Sequence, residues 1–315
     1  MIFAARDLLV SLAFFATVYC PLSALVVLAW QGRNRVWRNS QPSSPNFLFG
    51  LRIFSFALSC AVAVFFTFPS FWLMERATLD EDAGTFILAG CSVLILSAGL
   101  FRTLRAQAKT RRAVSHWSFD EASVRSEGAQ GASVSMSASN GAPGLILVGI
   151  CRPRVMISDM AVTVLSDQEL QVAVRHELVH QHSWDNLKKI LISATPFPGM
   201  SSLENAWRDA AELAADDAAV ANRQDALDLA AALIKLSMSS AKQWSEAVLA
   251  SGLLSGSPSI GLRVKRLLEW SLPPRRFRFS WPSILLLVFT VVICIVSNYG
   301  ATLALTHRLT EILVP

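Results

Sequence analysis

Two histidines four residues apart, with a glutamate directly after the first, form the run His176-Glu177-Leu178-Val179-His180. On an α-helix, positions i and i+4 share a face, so both imidazoles can grip one ion. Glu177 sits about one residue's rotation away and can reach the water that such an ion activates. Zinc brings the pKa of that water to about 7, and a nearby carboxylate can take its proton as it attacks a carbonyl. The bland reading is an amphipathic helix carrying two surface histidines. The chain has only five histidines, and two at this spacing around a glutamate favour the metal.

A catalytic zinc needs a third protein ligand and one open position. No cysteine lies near, and His182 falls on the opposite side of the helix from His180. A second helix offers Glu212-Leu213-Ala214-Ala215-Asp216. Glu212 can supply the ligand oxygen. Asp216, one turn later, can accept a hydrogen bond from a ligand histidine and fix its tautomer. On an isolated helix, Glu204, Asp209, Glu212, Asp216 and Asp217 would read as a solvated acidic face. The small alanines, which allow close approach to a metal helix, favour the site. Arg263 has two readings: a donor to a tetrahedral oxyanion, or, as we prefer, an ion-pair partner that holds the last helix. His116 and His307 are not expected to be ligands.

The elements that must position these residues are legible in outline. Ser166 with Glu169 three residues later makes a capping box, opening a helix expected to run until Pro196 and Pro198 break it. Further helices are expected over about 203–222, 224–239 and 262–270. Upstream, 145–150 and 154–158 read as two strands around a Cys151-Arg152-Pro153 turn. The alternation in 132–137 suits an exposed strand within a Ser/Ala/Gly-rich stretch, 126–144. If 145–150 were an edge strand beside the ion, an extended substrate could pair with it through its backbone.

Composition sets the surroundings. The 315 residues are 53% hydrophobic and only 16% charged, with a mean hydropathy of +0.43, which points to a membrane. Residues 8–30, 53–74, 83–101 and 282–304 are apolar runs near the ~20 residues a membrane helix needs. Trp30, Trp72 and Trp281 stand at run ends, where an indole prefers the lipid–water interface. The first run lacks a cleavage site and is read as an uncleaved anchor. The net charge is +5, but its placement argues for topology, and no direct nucleic-acid binding is expected. Arg33, Arg35 and Arg38 follow run one; Arg102, Arg105, Lys109, Arg111 and Arg112 follow run three; Arg275, Arg276 and Arg278 precede run four. The loop carrying Glu75, Asp80, Glu81 and Asp82 is acidic. The positive-inside rule then puts the N-terminus outside and 102–280 in the cytoplasm. Of five cysteines, only Cys151 lies outside the apolar runs, so neither a disulfide framework nor a cysteine-ligated zinc site is expected.

In combination these motifs resemble the BlaR/MecR-type membrane metallopeptidases. In that family a His-Glu-x-x-His helix is followed shortly by Asp-Asn, here Asp185-Asn186. Gly149 with Arg152-Pro153 is similar to the family's Gly-x-x-Arg-Pro segment. Glu212 to Asp216 is similar to its Glu-x-x-x-Asp segment, in which the glutamate is the zinc ligand. The resemblance implies roles for Asp185 and Asp216 in supporting the ligand set, and three membrane helices, a catalytic domain, then one more helix. Antibiotic-sensing members carry a penicillin-binding domain after the last helix. Here about a dozen residues follow it, so no sensor domain and no β-lactam binding are expected. Ala194-Thr195-Pro196-Phe197-Pro198 stands where the family has an Asn-Pro segment.

The expected architecture is therefore α+β: a polytopic membrane protein with four transmembrane helices and a cytoplasmic, mainly helical gluzincin-like domain carrying a small sheet. The expected domains are 1–101, 102–280 and 281–315. One zinc ion on His176, His180 and Glu212, with Glu177 as base, would serve an endopeptidase in the inner (plasma) membrane of a bacterium. Its substrate would be a cytoplasmic or membrane-proximal protein, a DNA-binding repressor by resemblance, with a partner membrane protein as one route for the signal. Two rivals stand beside this: a broad-specificity quality-control protease resembling the HtpX group, and a zinc-binding membrane signalling protein that does not cleave. The orientation has its own test. A reporter fused near Arg112 or Arg276 should behave as cytoplasmic and one in the Glu75–Asp82 loop as external; an external signal at Arg276 would overturn the topology.

Overall fold

The computed structural model describes residues 2–36, 44–74, 83–115, 119–120, 134–137, 144–150, 153–239, 251–252, 260–270 and 299–313. The chain divides into two compact units, one of residues 1–38, 53–98 and 273–315, the other of 39–52 and 99–272.

The first unit is built from α1 (Ile2–Val36), most of α2 (Pro45–Val62), a π-helical turn (Ala63–Thr67), α3 (Phe68–Met74), the first half of α4 (Ala83–Ser115) and a terminal helix, α11 (Tyr299–Leu313). Among the described residues, three stretches are long and apolar enough to cross a membrane: Ala5–Arg33, Pro45–Leu73 and Ala83–Arg112. Leu25, Leu28, Phe65, Ile87 and Leu94 point outward and stay exposed, a surface suited to hydrocarbon rather than water. Inside the unit, small and hydroxylated residues let helices approach, as in membrane bundles. Ala13 and Phe14 pack on Ala89, and the Ser23 hydroxyl bonds that of Ser55 at 2.9 Å. Together these describe an integral membrane protein. Helix α2 begins at Pro45, well before the apolar run expected from residue 53, and so takes in Arg52. The expected fourth span lies for the most part outside the described residues, as do the 75–82 loop and Arg275, Arg276 and Arg278. Residues 305–313, read from sequence as tail, are helical.

The second unit holds a five-stranded sheet and a helical layer. The strands are β1 (Phe119–Asp120), β2 (Val134–Ser137), β3 (Leu145–Val148), β4 (Arg154–Ser158) and β5 (Ser251–Gly252), in the order β1-β2-β4-β3-β5. β3 and β4 form an antiparallel pair, Leu145 opposite Ile157 and Val148 opposite Arg154. β2 runs parallel to β4. Residues 151–152 of the expected turn lie outside the described residues. The two-residue strands β1 and β5 carry no periodicity by which sequence could show them.

The helices are α5 (Asp159–Val164), α6 (Asp167–His182), α7 (Asp185–Ala194), α8 (Ser201–Ala219), α9 (Arg223–Ser239) and α10 (Ile260–Leu268). Ser166 and Glu169 form the reciprocal capping box that starts α6. The expected single helix to Pro196 is two helices instead. Trp184 takes a left-handed conformation with φ 57°, which costs a non-glycine residue roughly 1–2 kcal/mol and breaks the ladder. That reversal brings Asp185 back beneath His180. α6 is tied to α9 by Arg175–Asp225 and Lys235–Glu169 ion pairs. Leu145, Leu147, Val155 and Ile157 of the hairpin join Val172, Ala173, Leu229, Leu233 and Leu236 in one apolar core, which fixes α6 against the sheet.

Gly99 on α4 abuts the end of α7: a methyl group there would overlap the Ala194 carbonyl. Gly99→Ala should destabilise the second unit by about 1–3 kcal/mol, read as a lowered thermal transition of the purified protein. An unchanged transition would show that this close approach is relaxed.

Candidate metal centre

Helix α6 delivers His176, Glu177 and His180, and α8 delivers Glu212 and Asp216; all five are buried. The Nε2 atoms of His176 and His180 face each other at 3.2 Å. Glu212 completes the group, with Oε2 3.6 Å from His176 Nε2 and Oε1 3.7 Å from His180 Nε2. Two nitrogens bound about 2.0–2.1 Å from one tetrahedral ion would stand about 3.3 Å apart. The three side chains converge as ligands of one ion would, and together they could hold a metal.

The outer face of each imidazole is also engaged. His180 Nδ1 lies 2.7 Å from Asp185 Oδ2, and His176 Nδ1 lies 3.1 Å from Asp216 Oδ1. A proton held on Nδ1 by a carboxylate leaves the Nε2 lone pair aimed at the shared point. Arg263 from α10 braces the same carboxylates. Its Nε and Nη2 donate to the two oxygens of Asp216 at 2.8 and 2.6 Å, and Nη1 stands 3.1 Å from Glu212 Oε2. This bidentate fork is the ion-pair reading of Arg263.

Electrostatics follow from the burial. Burial alone would raise Glu212 and Asp216. The neighbouring His180, His176 and Arg263 bring Glu212 down to about 2, and hydrogen bonds from His176 and Arg263 hold Asp216 well below the usual carboxylate range. For His176, desolvation works downward but Asp216 and Glu212 win and lift it to about 9. Glu177 is the odd member. Neither of its oxygens has a hydrogen-bond partner, and burial pushes it up to about 7 against the pull of His180 and His176. A buried carboxyl without partners is costly. It is understandable where the group acts on something the chain does not supply.

Three contributors escaped the sequence reading. Asn186 stands in the sequence only as part of a motif; its amide donates to the Leu147 and Gly149 carbonyls at 3.2 and 3.0 Å, fastening the end of β3 to α7. Lys189 lies close enough to Glu212, Asp185 and Glu177 to interact with their charges, although burial dominates and lowers its pKa. Its place one turn after Asp185 was the available signal. Glu204 belongs by sequence to an acidic face; Arg52 binds it instead. The expected free edge of β3 is occupied at Ile146 and Leu147 by β5. A cavity of about 270 Å³ opens beside His180, lined by Gly149, Ile150, Pro153, Trp184 and Asn186 among others. His182 is not among the converging donors: its Nδ1 lies 2.8 Å from the Leu178 carbonyl, and it lines the same cavity. His307 packs on Phe71 within the first unit, and His116 lies outside the described residues.

A buried His-Glu-x-x-His helix facing a glutamate on a second helix, in a chain with membrane-length apolar helices, is the arrangement of a membrane-associated metallopeptidase. The family model described as BlaR1 peptidase M56 matches residues 85–267, and the chain belongs to that family. No curated protein matches it.

A raised His176 has a consequence for metal binding. Below pH of about 9 the metal-free site carries a proton on this ring, and an ion must displace it. That proton also stabilises the metal-free fold fully below the ordinary histidine range, an effect lost as pH rises through about 9. Zinc titrations near neutral pH, in buffers of different ionisation enthalpy, should therefore show about one proton released per ion, with apparent affinity rising with pH and levelling above about 9. Binding without proton release would contradict this electrostatic account.

Proposed function

We propose that the protein is a zinc-dependent endopeptidase that cleaves a cytoplasmic or membrane-proximal protein. Zinc is the ion that suits two imidazoles and one carboxylate with a fourth position open. His176, His180 and Glu212 would hold it. When bound, the ion supplies a Lewis acid that polarises a carbonyl and makes water a nucleophile near neutral pH.

The observation that carries this reading is Glu177: a buried carboxyl beside the three donors, with no partner of its own and a pKa near 7. A group poised there can accept a proton at one carboxylate oxygen as water attacks. It can then return that proton to the leaving amine nitrogen. Asp185 and Asp216 keep the two rings oriented, and Arg263 keeps Asp216 and Glu212 in place. A purely structural metal site has no use for such a base, which disfavours a non-cleaving role. The cavity beside His180 offers room for a substrate chain.

The biological reading is regulatory: cleavage of a repressor or similar regulator, from a catalytic unit on the cytoplasmic face of a bacterial inner membrane. The broad-specificity alternative shares the same chemistry, so its test is the range of proteins cut. Comparing cytoplasmic proteins in cells making the wild type or Glu177→Gln separates one substrate from many.

At the level of the site, Glu177→Gln should abolish cleavage while leaving about one zinc bound, since the base is not a ligand. Glu212→Ala should lower the zinc content itself. Asp216→Ala should weaken zinc affinity by roughly 10–100-fold. Zinc content and activity unchanged in Glu212→Ala would show that the third ligand is misassigned.

A further inference from the structure

Arg52 is 1% exposed, and it lies within an apolar stretch, Pro45–Leu73, long enough to cross a membrane. A charge so placed calls for partners and a reason. Its partners belong to the corner between α7 and α8. Nε and Nη2 donate to Glu204 Oε1 at 3.0 and 2.8 Å. Nη1 donates to the Thr195 hydroxyl at 3.0 Å. Nη2 also reaches the carbonyls of Thr195 at 2.6 Å and Ile192 at 3.3 Å. Those carbonyls end α7, where the last C=O groups of a helix are short of N–H donors and favour a cation. One planar fork thus joins three segments: α2, the end of α7 and the first turn of α8.

Both joined helices lead into the metal centre. α7 begins with Asp185, the partner of His180 Nδ1. α8 carries Glu204 eight residues before Glu212, about 12 Å along the axis. If α8 pivoted by 5° at the Glu204 end, Glu212 would move by about 1 Å. Metal–ligand distances tolerate only about 0.2 Å, and a misplacement of about 1 Å from a distant change can cost on the order of 100-fold in rate. Phe49, on the same helix as Arg52, packs against Trp207 of α8, and Lys188 of α7 bonds Asn46 at 2.9 Å. The start of α2 therefore grips both helices along several residues, with Arg52 the buried, charged point of that grip.

We propose that Arg52 is a positioning residue for the metal centre: through Thr195 and Glu204 it sets the angle between α7 and α8, and with it the place of Glu212 relative to His176 and His180. This rests on the metallopeptidase reading above. A merely structural anchor would affect stability alone. A positioning residue affects the geometry of the bound metal and the chemical step while leaving substrate binding largely unchanged.

The test uses full-length protein in lipid nanodiscs, with cobalt as a spectroscopic probe for the metal site. Wild type should bind one cobalt with the visible absorption of a four-coordinate site. Arg52→Gln should shift that spectrum, weaken cobalt binding roughly 10–100-fold and, with zinc, lower kcat by a similar factor while KM changes little. Arg52→Lys should recover only part of the loss, because an ammonium keeps the charge but cannot fork. Glu204→Gln, which leaves Arg52 its Thr195 and Ile192 carbonyls, should give a smaller shift in the same direction and guards against a misfolded Arg52 variant. A wild-type spectrum and kcat in folded Arg52→Gln, or in Glu204→Gln, would overturn the proposal. If the wild type bound no cobalt at all, the metallopeptidase reading would fall and this proposal with it.

Discussion

The structure turns on the pairing of each inner histidine with a carboxylate behind it. Asp185 stands behind His180 and Asp216 behind His176, at 2.7 and 3.1 Å. These contacts decide which nitrogen of each ring faces Glu212. They also set a charge problem. Glu177, Asp185, Glu212 and Asp216 are all buried, while the cations among them are Arg263 and Lys189, with Lys188 3.6 Å from Asp185 at the edge. When Glu177 is ionised, the carboxylates outnumber these cations. A proton on His176 makes up part of the difference in the metal-free site, and a divalent ion would do so more fully. The raised histidine and the depressed Glu212 are two aspects of that one imbalance.

Much of the architecture serves to hold this cluster in register. Trp184 adopts a strained backbone conformation while its side chain remains 58% exposed, so the strain is not explained by packing of the indole. Its effect is to turn the chain so that Asp185 meets His180. The β3–β4 hairpin supplies the apolar backing for α6, and Asn186 fastens the hairpin's end to the start of α7. α10 contributes little length but brings Arg263, while Arg266 pairs with Asp217 on the same helix as Glu212. Each is a way of making a rigid cradle from short elements.

The sequence carried the local chemistry well and the long-range contacts poorly. The spacing of His176 and His180, the Glu212–Asp216 turn and the Ser166 capping box are periodic or nearest-neighbour features, and the structure assembles them as their spacing implies. The hairpin at 145–158 was legible because strand residues are strongly enriched there. The division of the long helix at Trp184 was not, since no glycine or proline marks the left-handed residue. Arg52 and Glu204 were missed because they are 152 residues apart and each, alone, looks like an ordinary charge near a helix start. The two-residue strand β5, which pairs with part of β3, has no signal in sequence at all.

In the proposed function, one zinc ion is held by His176, His180 and Glu212. X-ray absorption at the zinc edge of the purified, zinc-loaded protein tests it most directly. The account predicts four light ligands at about 2.0–2.2 Å, with the outer-ring scattering of two imidazoles. It further predicts that Glu212→Ala changes the oxygen shell and leaves the imidazole signal in place. A sulfur shell near about 2.3 Å, or a spectrum lacking imidazole scattering, would contradict it.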